Sequence, residues 1–319
     1  MEGDQTKTPA HPTAEVKNGG KEGKALKVLA YGEVLFDVFG TEEKIGGAPF
    51  NFAAHMARLG ADVELMSAVG QDDRGAQVRG YLQKYRISDR LLAETTFPTG
   101  VCRVTLNAQG VPSYELLKPA AWDNIPWTEK AVETKRDLLY FGSLSQREPV
   151  SEETLHRVLE KVSSRYRLFD CNIRPPYASR EAVRQGLACC THLKVSREEA
   201  PVLTELGVVP TYEDRRRQKW CGAVAEAYGL EQVLLTLDKD GAAVYDGRAI
   251  CRTVGRAGYG GFHCWSRRQL CGGLYGLFAQ RRPHPRFSAQ GHTPQQPCHP
   301  VPRCAAFCEN RNITGRKKA

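Results

Sequence analysis

No run of about eighteen consecutive apolar residues occurs anywhere in the 319-residue chain, so nothing in it reads as a membrane-spanning helix. Methionine (3) and tryptophan (4) are scarce, yet an apolar fraction of 41% and a charged fraction of 25% are ordinary for a globular protein. The cysteines lack framework spacing. Cys102, Cys171, Cys189, Cys190, Cys221 and Cys251 are scattered through the body, which suits a reducing compartment and a cytoplasmic location. Residues 1–26 hold no apolar stretch and are rich in Lys, Glu, Gly, Thr and Pro, so they read as a disordered leader rather than a signal peptide.

Acidic residues are nearly missing from the last fifth. Between Arg256 and Ala319 there are 11 Lys and Arg against one acid, Glu309, which leaves 34 basic and 35 acidic residues in the remainder. The net charge of +9 therefore belongs to the tail. That tail has neither a recognisable module nor interleaved aromatics, which argues against a nucleic-acid partner. Its Cys298, His299, Cys304 and Cys308, together with His263, lack the paired Cys-x-x-Cys units of a zinc site.

What is present is a β-α rhythm. Strand patterns over 26–32, 63–70, 137–142, 167–170, 192–196 and 233–237 alternate with helical ones over 74–85, 152–166, 180–190 and 218–228. Such alternation predicts an α/β fold, a doubly wound and mostly parallel sheet covered by helices on both faces. Two runs, Val101–Asn107 and Ser113–Leu117, flank Ala108–Pro112 and predict a hairpin standing off that sheet. The organising stretch is Gly46-Gly47-Ala48-Pro49-Phe50-Asn51. Its glycines allow a sharp turn and close approach of a ligand, Pro49 suits a first helical turn, and Asn51 is placed at the helix start. Phe52, Met56 and Leu59 then recur at helical spacing before Gly60. Ligands of doubly wound sheets bind outside the carboxyl ends of the strands. Asp37, Asp170, Asn172, Arg174, Lys194 and Thr236 all read as strand-end residues, although spacing alone leaves Asp37 a solvent-facing strand residue.

Five segments occur in an order that resembles the ribokinase-like (PfkB) sugar kinases, most closely the fructokinase type. They are Gly32–Asp37, Gly46–Gly60, Asp170–Arg174, Leu193–Glu199 and Leu235–Gly241, within a resemblance running from about Lys27 to Gly255. The resemblance implies one kinase domain over 27–255 with a small β-lid, roughly 33–50 and 98–120, and transfer of the ATP γ-phosphate to a primary hydroxyl of fructose or a similar hexose. It implies that Asp37, Gly46, Gly47 and Asn51 bind the sugar and that Arg174 lies near the transferred phosphate. Lys194, Thr236, Gly241 and Gly255 would line the nucleotide, and Glu199 would place Mg²⁺ through water. A monovalent cation such as K⁺ and a homodimer formed through the lid are further implications. Ser196 stands where the family has Asn, and Asp238 where a glycine is common.

The family's next motif, Asp-Thr-x-Gly-Ala-Gly-Asp, supplies its catalytic base as the last Asp. Here the chain reads Arg252-Thr253-Val254-Gly255-Arg256-Ala257-Gly258-Tyr259, so Gly258, or Tyr259 with one insertion, occupies that position and neither is a carboxylate. Helical periodicity stops beyond it, and residues 256–319 form an aberrant basic tail rich in Cys and Pro. A shifted reading frame accounts for this. Phe262-His263-Cys264-Trp265 is encoded only as TTY-CAY-TGY-TGG, which one base later permits Phe-Thr-Ala-Gly, though the shift does not restore the Asp itself. The alternatives are a non-catalytic sugar-binding pseudokinase and a basic-tail nucleic-acid-binding protein. Sequencing independent DNA across the codons for Arg252 to Phe278 is expected to reveal an added or missing base; an uninterrupted frame would sink that explanation.

Overall fold

The computed structural model describes residues 25–106, 112–177, 179–246 and 250–253. In chain order it begins with β1 (Lys27–Tyr31), β2 (Leu35–Phe39), β3 (Glu42–Gly46), α1 (Ala48–Arg58), β4 (Asp62–Gly70) and α2 (Asp73–Tyr85). Next come β5 (Leu92–Thr95), β6 (Gly100–Leu106), β7 (Pro112–Leu116), β8 (Arg136–Gly142), α3 (Pro149–Lys161) and β9 (Ser164–Asp170). The last described elements are α4 (Arg180–Cys189), β10 (His192–Ser196), α5 (Glu199–Glu205), α6 (Arg217–Tyr228), β11 (Gln232–Thr236), β12 (Ala242–Tyr245) and β13 (Ile250–Thr253).

β1 is apolar on both faces because it sits inside the sheet. Val28 and Ala30 join one core with Phe52 and Met56 of α1 and Val78 and Leu82 of α2. Leu29 and Tyr31 point the other way, into a core with Leu155 and Val158 of α3, Val183 and Leu187 of α4, Leu203 of α5 and Val224 of α6. A strand buried on both faces cannot alternate apolar with polar, and its continuous apolar run is the mark of a parallel sheet interior. The nine strands lie in the order β13-β12-β11-β10-β9-β8-β1-β4-β5. Pairing is parallel from β5 to β11 and antiparallel only at β11–β12 and β12–β13. The doubly wound, mostly parallel α/β architecture is therefore present.

A second sheet of four strands has the order β3-β2-β6-β7. β6 and β7 pair antiparallel with Cys102 opposite Leu116, while β2 and β6 run parallel with Asp37 opposite Cys102. Its base is fastened by hydrogen-bonded polar groups. The Asp72 carboxylate caps α2 through Gly75 N at 2.8 Å and also accepts from Thr99 N at 2.8 Å and Thr99 Oγ1 at 2.6 Å. Arg147, almost fully buried, donates to Asp123 at 2.7 Å and 2.9 Å and to Leu117 O at 3.1 Å.

Two local expectations need correction. The helix placed over 152–166 begins at Pro149 and ends at Lys161, because Val162 turns extended and Tyr166 and Leu168 then alternate with Phe169 across β9. Asn51 is not at the start of α1. Gly47 holds the cap position with φ 98, and Asn51 lies one turn in, its N–H donating to Gly47 O at 2.9 Å. The tail segment with Gly255, Gly258, Tyr259 and the candidate zinc residues lies outside the described residues, as does the turn 107–111. Among the described residues no helix is long and apolar enough to cross a membrane.

Gly75 in α2 tests the packing of that helix on β4. A methyl group there would press on the Gly70 carbonyl oxygen. Helix propensity alone would make Gly75→Ala stabilising by about 1 kcal/mol. The backbone clash instead predicts destabilisation of about 1–3 kcal/mol in urea unfolding, and an unchanged or raised midpoint would contradict it.

Candidate active site at the carboxyl ends of the strands

The chain leaves β1 toward β4 on one side, and β8 to β11 extend the sheet on the other. That reversal opens a crevice beyond the carboxyl ends of β1 and β8, the usual ligand position in such sheets. The loops after β1, β8, β9, β10 and β11 meet here. Ser145, in the turn after β8, is 1% exposed, and its Oγ has no hydrogen-bond partner among the described residues. It lies against Gly32, at the end of β1.

The Gly46–Gly47 pair is explained by what surrounds it. A Cβ on Gly47 would stand 2.5 Å from Glu33 O, and the residue already adopts φ 98, so only glycine makes this turn without strain. A Cβ on Gly46 would stand 2.6 Å from Asp37 Oδ2. Asp37 is the middle residue of a lid strand rather than an end residue of the main sheet, and it is half-buried rather than solvent-facing. Register places Asp37, Gly46 and Cys102 on one face of the lid. The Cys102 thiol, pushed up to about 12 by burial and by its hydrogen bond to Asp37, lies within reach of the charges of both Asp37 and Arg174. Arg174 is exposed in the loop after β9. One carboxylate from the lid and one guanidinium from the main sheet thus flank the same opening.

Behind it lies a chain of buried polar groups. Asp170, 2% exposed, accepts from Lys194 Nζ at 2.7 Å and from Tyr140 Oη at 2.7 Å. Asn172 follows with φ 39, and its Nδ2 donates to Glu33 Oε1 at 3.3 Å. Glu33 Oε1 also accepts from Ala48 N, the first N–H of α1, at 3.0 Å. Burial, opposed by hydrogen bonds from its own backbone N–H and from the Ala48 amide, pushes the Glu33 carboxyl up to about 7.

Glu199 links two further loops. Its Oε1 accepts from Ile173 N at 3.0 Å and its Oε2 from Ser196 N at 2.7 Å, while Ser196 Oγ accepts from Glu199 N at 3.1 Å. The last two are reciprocal, each side chain accepting from the other residue's backbone N–H, which explains how Ser196 serves at a position where the family has Asn. Thr236 ends β11, buried, and its carbonyl accepts from Arg197 N at 2.9 Å. Asp238, standing where a glycine is common, has φ 49, and Gly241 closes the turn with φ 94.

Asp37, Gly46, Gly47, Asn172, Arg174 and Lys194 are thus legible in the sequence, whereas no motif assigns a task to Glu33, Tyr140, Cys102 or Ser145. Glu33 had a signal, an acid set between apolar strand segments. Tyr140 and Cys102 had none, since an aromatic or a cysteine inside an apolar strand reads as core. The Asp170 carboxylate should depend on its ammonium partner. Lys194→Met is expected to lower unfolding free energy by about 3 kcal/mol, because breaking a buried pair leaves a charge behind, and a loss below about 1 kcal/mol would show that the pair does not hold Asp170.

Known proteins share this fold. The chain matches the description "pfkB family carbohydrate kinase" over residues 22–256. It is 28% identical over 203 residues to a protein of Pyrococcus horikoshii named as a sugar kinase, covering 57% of this chain and 65% of that one. It is 24% identical to an Arabidopsis thaliana protein named as a fructokinase, covering 58% of it, so the chain spans under two thirds of both relatives. Fructokinase-1 of Oryza sativa subsp. japonica is 25% identical over 251 residues, covering 70% of this chain and 74% of that protein. Among solved structures, Vibrio cholerae fructokinase with fructose, ADP and calcium bound superposes with a TM-score of 0.67 at 20% identity, over 80% of this chain and 85% of that one. Because the match takes in the Gly46–Gly60 segment, the Asp170–Arg174 loop and all the described strands, the chain belongs to the pfkB family of carbohydrate kinases.

Proposed function

We propose that the crevice is a fructokinase-type site, built to pass the γ-phosphate of ATP to a primary hydroxyl of fructose or a similar hexose, in a chain whose own transfer is severely impaired. The observation that carries this reading is the Asp37 carboxylate, set over the bare Gly46 on the lid face that also reaches Arg174. A neutral sugar is recognised by paired donors and acceptors, since any buried group left unpaired costs affinity. Asp37 would accept from sugar hydroxyls, the Gly46–Gly47 backbone would admit the ring, and Asn51 and the unpaired Ser145 hydroxyl would complete the set. Arg174 would meet the phosphate oxygens, for which its planar cation is suited. Thr236, Gly241 and Lys194 would border the nucleotide, with Gly255 beyond the described residues.

Mg²⁺ usually keeps several waters and takes few protein carboxylates. The donor set fits that habit. Each Glu199 oxygen spends one lone pair on a backbone N–H and retains another for a metal-bound water. When bound, Mg²⁺ neutralises charge on the phosphate oxygens. Deprotonation of the sugar hydroxyl is the missing function, because Gly258 or Tyr259 stands at the base position. A homodimer through the lid and a cytoplasmic location belong to the same reading.

A non-catalytic sugar-binding role is the second reading, and the Gly258 or Tyr259 substitution favours it. D-fructose is expected to raise the melting temperature of the full chain but not of Asp37→Asn, and equal shifts for both would refute the assignment of Asp37. A coupled assay for ADP is expected to show at most very slow release with fructose and Mg-ATP. Turnover typical of kinases, on the order of 1–100 per second, would overturn the impairment.

A further inference from the structure

Glu33 touches both loops that the proposed site brings together. Its carboxyl accepts from the Ala48 amide at 3.0 Å and from the Asn172 side chain at 3.3 Å, and its backbone carbonyl lies where a Gly47 side chain would be. Asn172 is itself held at φ 39, between Asp170 and Arg174. Glu33 has no part in the sugar contacts or the phosphate transfer proposed above.

We propose that Glu33 is a positioning residue: its carboxyl locks the Gly47–Ala48 turn, which receives the sugar, to the Asn172 loop, which carries Arg174. This rests on the sugar-site reading above. Glu33 is 2% exposed, so its side chain is packed in one place rather than drawn from a mobile surface. A carboxyl meeting the first amide of a helix also meets the positive end of the helix dipole. The rest of that turn, Ala48 to Asn51, carries no charge.

The groups that face Glu33 set its protonation. Burial dominates and raises its affinity for a proton, its own backbone N–H and the Ala48 amide oppose this, Asp170 adds to it and Arg174 opposes it. Lys194, on β10, is already paired with Asp170. The carboxyl therefore ionises near neutral pH, and the ionised form is the stronger acceptor. Between its ordinary value of 4.5 and about 7 the native state keeps a proton that the unfolded chain has lost. Stability should fall as pH rises through that window and level off above it. Glu33→Gln keeps an acceptor oxygen for both donors and removes the titration.

The test is calorimetric titration of the full chain with D-fructose across pH, with Asp37→Asn as the control for the sugar site. Wild-type affinity is expected to rise severalfold between about pH 6 and about pH 8 as the carboxyl ionises, and Glu33→Gln to show no such step. Glu33→Ala and Asn172→Ala should each bind about tenfold more weakly, and the double variant hardly more weakly than either, because both cut one link. The proposal is overturned if Glu33→Gln keeps the wild-type pH step. It is equally overturned if both alanine variants bind like wild type while Asp37→Asn does not bind. Should an alanine variant fail to fold, the Glu33→Gln profile decides alone. Absence of fructose binding by folded wild-type chain would instead remove the sugar site, and this proposal with it.

Discussion

A buried carboxylate is expensive to desolvate, by several kcal/mol, unless hydrogen bonds and charges replace the water it loses. This chain places two such groups, Glu33 and Asp170, at the crevice edge of its main sheet beside the half-buried Glu199, and each of the three accepts from at least one donor on another element. Glu33 needs Ala48 and Asn172, Asp170 needs Lys194 and Tyr140, and Glu199 needs Ile173 and Ser196. These bonds form when strands β8 and β10 and the segments after β1, β3, β9 and β10 sit in their native relation, which offsets the cost of burial. The loops that would face substrate are thereby fixed by the folding of the sheet. Preorganisation of this kind is what phosphoryl transfer demands, since positioning and electrostatics supply most of its rate.

The lid is held by a separate set of anchors. Arg147 spans Asp123 and the Leu117 carbonyl at the end of β7, with its guanidinium 3.9 Å from the centre of the Trp122 ring. Trp122 in turn lies against Gly100, the first residue of β6, where a side chain would collide with the indole. On the other flank, Asp72 ties the start of α2 to Thr99, the residue before β6. Beyond these anchors the lid grows more open, with Tyr114 51% and Phe39 40% exposed. Asp37 sits in that gradient, on a strand whose base is fixed and whose far end meets solvent.

Much of this was legible in the sequence where local chemistry and tertiary packing agree. The continuous apolar run of β1, the Pro49 and Gly60 punctuation of α1 and the alternating strands and helices led to the right fold. Disagreement arose where the tertiary setting decides. Tyr166 continues a helical pattern by composition but belongs to β9, because its ring is needed in the core beneath that strand. Asn51 has the chemistry of a helix cap, yet Gly47 takes that position because its carbonyl-facing side has no room for a Cβ. Glu33 could not be assigned from spacing, since its partners lie 15 and 139 residues away. Ser196 shows the reverse: a departure from the family pattern that becomes sensible once its reciprocal bonds with Glu199 are seen.

Amide hydrogen exchange followed by NMR tests the central claim, that the buried and half-buried carboxylates of the crevice hold the strand-end loops, without requiring any activity. The amides of Ala48, Ile173 and Ser196 each donate to one of these carboxylates. Loops and helix first turns ordinarily exchange by local opening at little free-energy cost, whereas core elements exchange only on global unfolding. The account predicts that these three amides exchange as slowly as those of β1 and β9. Exchange at the rate of exposed turns would contradict it, and would leave the crevice assembled by its apolar packing alone.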